Sequence, residues 1–369
     1  MKITDVRMTA FRPDLPGDES ELLIKGQSIK PYVCDLLAVE ILTDEGVSGE
    51  VISGYGGPSL AICIADRIRP HLIGLDPADR EGIWQKLWRL DRLLFTTQFA
   101  IGTIDVALWD LYAKSVGRPV NELLGGRKSK LPAYASGMTH EQVEKFAEEA
   151  VAHKEMGYQA YKIHAAGEAK FDIDVCHAVR TAVGDDYPVM IDVAGAYNQY
   201  DALVVGRVCE QLGFKWYEEP LRDFDIHGYR RLADKLDIPI CGVEVIPGSL
   251  YTTPEYIVTR AVDIVRSDVS FKAGIGPVRK TAALAEAFGL NIELHANGNP
   301  FLEMANLQVA TSLHNTTYFE QLVPKRLFDL GTREPVHIDS EGFAHIPDAP
   351  GIGMEIDWEL VEKSKIGVF

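Results

Sequence analysis

The feature that most constrains the fold is a run of short apolar segments alternating with helical ones after about residue 130. Eight of them read as strands: "LPAYAS" (131–136), "AYKIHA" (160–165), "VMIDVA" (189–194), "KWYEEP" (215–220), "ICGVEV" (240–245), "DIVRSDV" (263–269), "NIELHA" (291–296) and "TYFEQL" (317–322). Eight strand runs separated by helices are what a (β/α)8 TIM-type barrel requires. Polar residues collect near the C-terminal ends: Lys162 and His164, Asp192, Glu218 with Glu219, Glu244, Asp268, His295 and Glu320. From Asp192 through Glu218, Glu244 and Asp268 to His295 the steps are 26, 26, 24 and 27 residues, about one βα unit each. Strand C-termini of such a barrel open on one face, so these side chains meet around a single pocket.

The first 126 residues are different. Residues 1–11 alternate as a strand, 12–28 read as a long polar loop, and 32–53 read as a hairpin around "TDEG". From Leu60 to Leu123 the spacing is helical, with Ile104, Ala107, Leu108, Leu111 and Tyr112 on one face. We therefore expect an N-terminal α+β capping domain (1–126), a barrel domain (127–326) and a C-terminal segment (327–369) returning to the capping domain.

A net charge of −17 leaves no basic stripe to neutralise phosphates, which argues against nucleic acid and anionic membranes as partners. Five scattered cysteines without a CxxC suggest neither a disulfide framework nor a zinc knuckle. With no apolar leader at the N-terminus and no run long enough to span a bilayer, a cytoplasmic protein is expected.

Asp192, Glu218 and Glu244 on three adjacent strands suit a hard divalent cation such as Mg²⁺, because clustered carboxylates without one would repel and protonate. Asp268 and His295 end neighbouring strands, where a carboxylate can fix the imidazole tautomer and raise its basicity. Period-two geometry puts Lys162 and His164 on one face, aimed into the pocket from the side opposite His295. That arrangement offers a base on one side of a substrate and an acid on the other. A lysine so placed would hold a substrate carboxylate and depress the pKa of its histidine neighbour.

Together these residues resemble the enolase superfamily, mandelate racemase subgroup, over nearly the whole chain. "AIGTIDVALWDLYAKSVGRPVNELLGG" resembles the end of the family's capping domain, "WYEEPL" its fourth-strand motif and "SDVSFKAGIG" its sixth-strand motif. The resemblance implies Mg²⁺ bound by Asp192, Glu218 and Glu244, an Asp268–His295 dyad, and Glu320 hydrogen-bonded to the substrate carboxylate. It implies a small-molecule carboxylate as substrate and a homo-oligomer, dimer or octamer. Loops 12–31 and 53–58 would close over the pocket and set substrate choice, with Lys25, Lys30 and Tyr55 as contacts. Glu219 and Asn297 are further candidate substrate contacts. Two positions depart from the pattern: the second strand reads Lys162-Ile163-His164 where Lys-x-Lys is usual, and Ala194 stands where an Asn is usual.

The reaction expected is acid-sugar dehydration. His164 or Lys162, or the dyad itself, takes the C2 proton of an aldonate or aldarate, and His295 protonates the departing C3 hydroxyl. The product is a 2-keto-3-deoxy acid. Racemisation or epimerisation at C2 and cycloisomerisation of a sugar-derived lactone stand beside it. A non-catalytic binding protein fits less well, since Lys162, His164 and His295 are all present. A metal-independent barrel enzyme would have no use for the three acids.

Overall fold

Alternating apolar residues in the first strand and the 32–53 hairpin build the capping sheet. The computed structural model describes residues 1–15, 22–24, 27–29, 35–54, 56–126, 128–296 and 298–369. Strands β1 (Ile3–Phe11), β4 (Leu36–Thr43) and β5 (Ser48–Ser53) form an antiparallel sheet. The segment expected to be a loop instead contains a small ribbon, β2 (Leu22–Ile24) with β3 (Gln27–Ile29). Its ladder pairs Leu22 with Ile29, Leu23 with Ser28 and Ile24 with Gln27, within a segment whose polar composition reads as loop.

Helix Gln98–Ser115 covers this sheet and joins it to the barrel. Thr97 caps it, its hydroxyl accepting from Ala100 N at 3.1 Å, a cap of about 1 kcal/mol. Most of the helix is buried, and Asp110 uses that position as a tie. Its carboxylate accepts from Glu50 N at 2.9 Å on β5 and from Ile352 N at 2.8 Å, and pairs with Lys114 at 2.7 Å. Gly102 faces the barrel on the same helix. A Cβ there would lie 2.7 Å from Ser270 O and 2.8 Å from Val269 O, so only glycine lets the helix approach the chain just past Asp268 so closely.

The barrel strands are β6 (Lys130–Ser136), β7 (Ala160–His164), β8 (Val189–Asp192), β9 (Tyr217–Glu218), β10 (Ile240–Gly242), β11 (Ile264–Ser267), β12 (Asn291–Leu294) and β13 (Phe319–Leu322). All run parallel in the order β12-β11-β10-β9-β8-β7-β6-β13, a nearly closed eight-strand barrel wrapped by helices. After it, β14 (Phe343–His345) pairs antiparallel with β6, and β15 (Lys365–Val368) pairs antiparallel with β1. The tail thus touches both the barrel and the capping sheet. Cys63, Cys176, Cys209 and Cys241 are free thiols, with the Cys176 and Cys209 sulfurs 3.9 Å apart. No helix among the described residues is long and apolar enough to cross a membrane.

Several barrel strands stop two or three residues before their apolar runs do. The cause is backbone: Ala194, Glu219 and Val243 have φ of 48°, 42° and 74°. Non-glycine residues rarely adopt this region, and a β-branched one such as Val243 least readily, so each carries strain of about 1–3 kcal/mol.

Candidate active site

Strand register sets the first level of the site. His164 pairs with Asp192, and Asp192 with Glu218, across β7, β8 and β9. On β10 the register alone would fail, because Cys241 pairs with Glu218 and period two then puts Val243 inward and Glu244 outward. The left-handed turn at Val243 breaks that alternation. It brings the Glu244 carboxylate to 3.4 Å from Arg266 Nε and 3.7 Å from His295 Nε2. Lys272, fully buried on the chain after β11, donates its ammonium to Val243 O and so clamps the turn. Burial holds the Lys272 pKa down to about 8.

Beneath these groups the barrel is floored by Tyr134, Ala160, Met190, Trp216 and Cys241. The Trp216 indole donates to Glu218 Oε2 at 2.8 Å. Glu218 Oε1 lies 2.9 Å from Lys162 Nζ and 2.8 Å from Arg266 Nε. Lys162 is fully buried and also reaches Glu320 at 2.7 Å and Asp192 at 3.4 Å. Burial opposes its charge, but Glu218 and Glu320 outweigh that and drive its pKa well above the usual lysine value. Lys162 is therefore a fixed ammonium, with its donors engaged by three carboxylates.

Glu320 is buried too, bonded to Lys162, to Arg266 Nη2 and to Ala296 N at 2.8 Å. Against burial, Arg266, Lys162 and His295 hold it well below the ordinary range, so it is ionised. In that state it has acceptors only and cannot donate to a substrate carboxylate.

His164 and His295 are the two imidazoles at the mouth. His164 Nδ1 is 2.6 Å from Gly137 O, which assigns the proton to Nδ1 and leaves Nε2, 3.4 Å from Asp192 Oδ2, facing the site. The depression expected from Lys162 is not the net result. Burial and Lys162 lower the His164 pKa, but hydrogen bonding and charge from Asp192 outweigh both and raise it. His295 Nδ1 lies 3.3 Å from Asp268 Oδ2, and the Phe271 ring packs against the imidazole. Asp268 is itself fixed by Ser270 N at 2.6 Å, Phe271 N at 3.0 Å and Asn306 Nδ2 at 2.9 Å. Burial pulls the His295 pKa down, but Glu244, Asp268 and Glu320 push it up to about 9.

Glu219 is buried beside Glu244. Its carboxyl accepts from Glu244 N at 2.9 Å, and burial with Glu244 and Asp192 nearby drives its pKa well above the usual range. Lys25, Lys30, Tyr55 and Asn297 lie outside the described residues.

Arg266 escaped the sequence reading, although the signal was there. It stands two residues before Asp268 in "IVRSD", so period two aims it into the barrel by the same argument that paired Lys162 with His164. Lys272 carried no comparable signal, since it lies beyond the strand.

The donor set suits a divalent cation. Lys162 and Arg266 face four carboxylates, Asp192, Glu218, Glu244 and Glu320, and His295 pairs with a fifth, Asp268. With His295 protonated, this contacting group is left with two negative charges, the complement of one hard dication. Among the described residues no three such groups form a ready cage, because Glu218 is turned towards Lys162, Arg266 and Trp216.

A barrel with carboxylates, a lysine and two histidines at its strand ends, under an α+β cap, defines a class. Residues 145–360 match the family model "Enolase C-terminal domain-like", and 30–125 match "Mandelate racemase / muconate lactonizing enzyme, N-terminal domain". The chain belongs to the enolase superfamily, in its mandelate racemase group. It is 31% identical to arabinonate dehydratase of Saccharolobus solfataricus, covering 98% of this chain and 99% of that one. It is also 31% identical to D-galactarolactone cycloisomerase of Agrobacterium fabrum, with 99% of each chain covered. Among solved structures, D-glucarate dehydratase from Agrobacterium tumefaciens complexed with magnesium superposes with a TM-score of 0.88 at 32% identity, over 99% of each chain. Superfamily members of these kinds are lyases and isomerases acting on carboxylate substrates.

Proposed function

We propose that the protein is a Mg²⁺-dependent acid-sugar dehydratase acting on an aldonate or aldarate. The observation that carries this reading is the division between the two imidazoles. His295, tied to Asp268 and with its pKa pushed up to about 9, holds a proton at neutral pH. His164 has Nδ1 committed to Gly137 O and Nε2 beside Asp192, and in its neutral form Nε2 is the acceptor from the other side. Lys162 is occupied by carboxylates, so the base is His164.

Asp192, Glu218 and Glu244 would hold the Mg²⁺, which when bound offsets charge at the substrate carboxylate and acidifies the neighbouring C–H. His164 Nε2 takes the C2 proton, and the electron pair of that C–H bond passes into the carboxylate-conjugated system. As it returns to form the C2–C3 double bond, the C3–O bond breaks. His295 gives its proton to the leaving oxygen, which departs as water. The resulting enol tautomerises to a 2-keto-3-deoxy acid. The dehydratase names among the relatives support this reading.

The cycloisomerase relative, at the same identity, favours a second reading in which the same base and acid open a sugar-derived lactone. Incubation with Mg²⁺ and a panel of aldonates, aldarates and lactones in D₂O, followed by proton NMR, separates them. Dehydration removes the C2 and C3 signals and produces a deuterated methylene. Lactone opening appears only with lactones, and C2 exchange with the C3 hydroxyl retained would replace both with a racemase or epimerase.

A further inference from the structure

We propose that Arg266 is a tethered cation that competes with the divalent metal for its carboxylates and so sets the metal affinity of the site. The inference rests on the reading that Asp192, Glu218 and Glu244 hold that metal. Arg266 is fully buried on β11, with its side chain inside the barrel. Its Nε is 2.8 Å from Glu218 and 3.4 Å from Glu244, two of the three proposed ligands. Nη2 bonds Glu320, which anchors the guanidinium; neither buried Nε nor Nη1 makes a hydrogen bond among the described residues, so Nε meets Glu218 and Glu244 as an ion pair.

A guanidinium has only donors and stays charged at any ordinary pH, so once buried it must be matched by anions. Here most of the match comes from groups the metal also needs. Glu218 shows the competition directly, since Lys162 and Arg266 share one of its oxygens and Trp216 takes the other. For Glu218 to turn towards Asp192 and Glu244, it must loosen its contact with Arg266. The guanidinium does not leave with it, because Glu320 keeps hold.

Two consequences follow. Without metal, Arg266 offsets part of the barrel interior's negative charge, so the fold needs the cation less. With metal, the guanidinium is a like charge a few ångströms away, which weakens binding. A single charge beside a dication at that range is worth at least about tenfold in affinity even in a water-like dielectric. An arginine with a purely structural role predicts the opposite: its removal would disorder the carboxylates and weaken metal binding.

The test is Mn²⁺ titration of the full chain, read from the electron paramagnetic resonance of the free ion, for wild type, Arg266→Gln and Arg266→Lys. Thermal melts with and without Mg²⁺ accompany it. Arg266→Gln is expected to bind Mn²⁺ at least about tenfold more tightly than wild type. Its melting temperature without metal should be lower, and its rise on adding Mg²⁺ larger. Arg266→Lys should fall between, because one short ammonium cannot reach Glu218, Glu244 and Glu320 together. Should Arg266→Gln not fold, Arg266→Lys decides, and it must bind more tightly than wild type. Unchanged or weaker Mn²⁺ binding in the folded variants overturns the proposal while leaving the metal site intact. Failure of every form to bind Mn²⁺ removes the metal reading and this inference with it.

Discussion

The buried ammonium of Lys272 donates to the carbonyl of Val243, and Val243 is the residue whose left-handed backbone turns Glu244 into the barrel mouth. Without that bond the strained turn has one fewer reason to persist. Lys272→Met should cost about 1–3 kcal/mol of stability, the penalty for leaving a buried carbonyl unpaired. It should also weaken divalent-metal binding roughly 10–100-fold, as loss of a support behind a ligand commonly does. Urea unfolding and Mn²⁺ titration measure the two effects. Equal metal affinity in a folded Lys272→Met protein would show that Glu244 holds its orientation unaided.

Lys162 and His164 are neighbours on β7 with different work. Lys162→Met removes one of the two cations paired with the buried Glu218 and Glu320, a loss of about 3–5 kcal/mol. His164→Asn should leave the melting temperature almost unchanged and slow C2–H exchange in D₂O by roughly 10²–10⁴-fold. Melting curves and exchange rates of the two variants, side by side, separate the fixed charge from the base.

Three buried acids predict how stability varies with pH. Burial raises Asp105 and Glu293 to about 7 and Glu303 to about 8, while the same groups in an unfolded chain titrate near pH 4. Between about pH 4 and 8 the folded protein therefore retains protons that the unfolded chain releases. Their contribution is complete below pH 4 and is lost as pH rises through 7 to 8. For Asp105 alone the shift corresponds to about 4 kcal/mol, as an order of magnitude. The urea midpoint should fall from pH 5 to pH 8.5, and Asp105→Asn, which retains an acceptor for Gly276 N, should flatten the fall.

Much of the barrel and its mouth was legible because two periodicities coincide. Alternation along strands and the roughly 26-residue repeat between them brought Asp192, Glu218, Asp268, His295 and Glu320 to one end. Glu244 was placed by its spacing, yet strand parity would have turned it outward. What reverses it is a positive φ at a valine, which no propensity anticipates. Arg266 lies one step below the strand ends on the inner face, where an arginine inside an apolar run is matched only by carboxylates from other strands. Lys272 acts through a backbone carbonyl, a partner that no pattern of side chains reveals. The small ribbon pairing 22–24 with 27–29 escaped because only its first strand, Leu-Leu-Ile, is apolar, while the second, Gln-Ser-Ile, has no strand-like pattern.

The central claim is that His295 supplies the proton to the leaving hydroxyl while His164 removes the C2 proton. It is tested most directly with His295→Asn in D₂O, on whichever acid sugar the wild type dehydrates. Proton NMR would follow C2 exchange and loss of the C3 hydroxyl in one sample. We expect C2 deuterium incorporation to continue while dehydration falls by roughly 10²–10⁴-fold. Dehydration by His295→Asn at close to the wild-type rate, or loss of C2 exchange together with dehydration, would contradict the assignment.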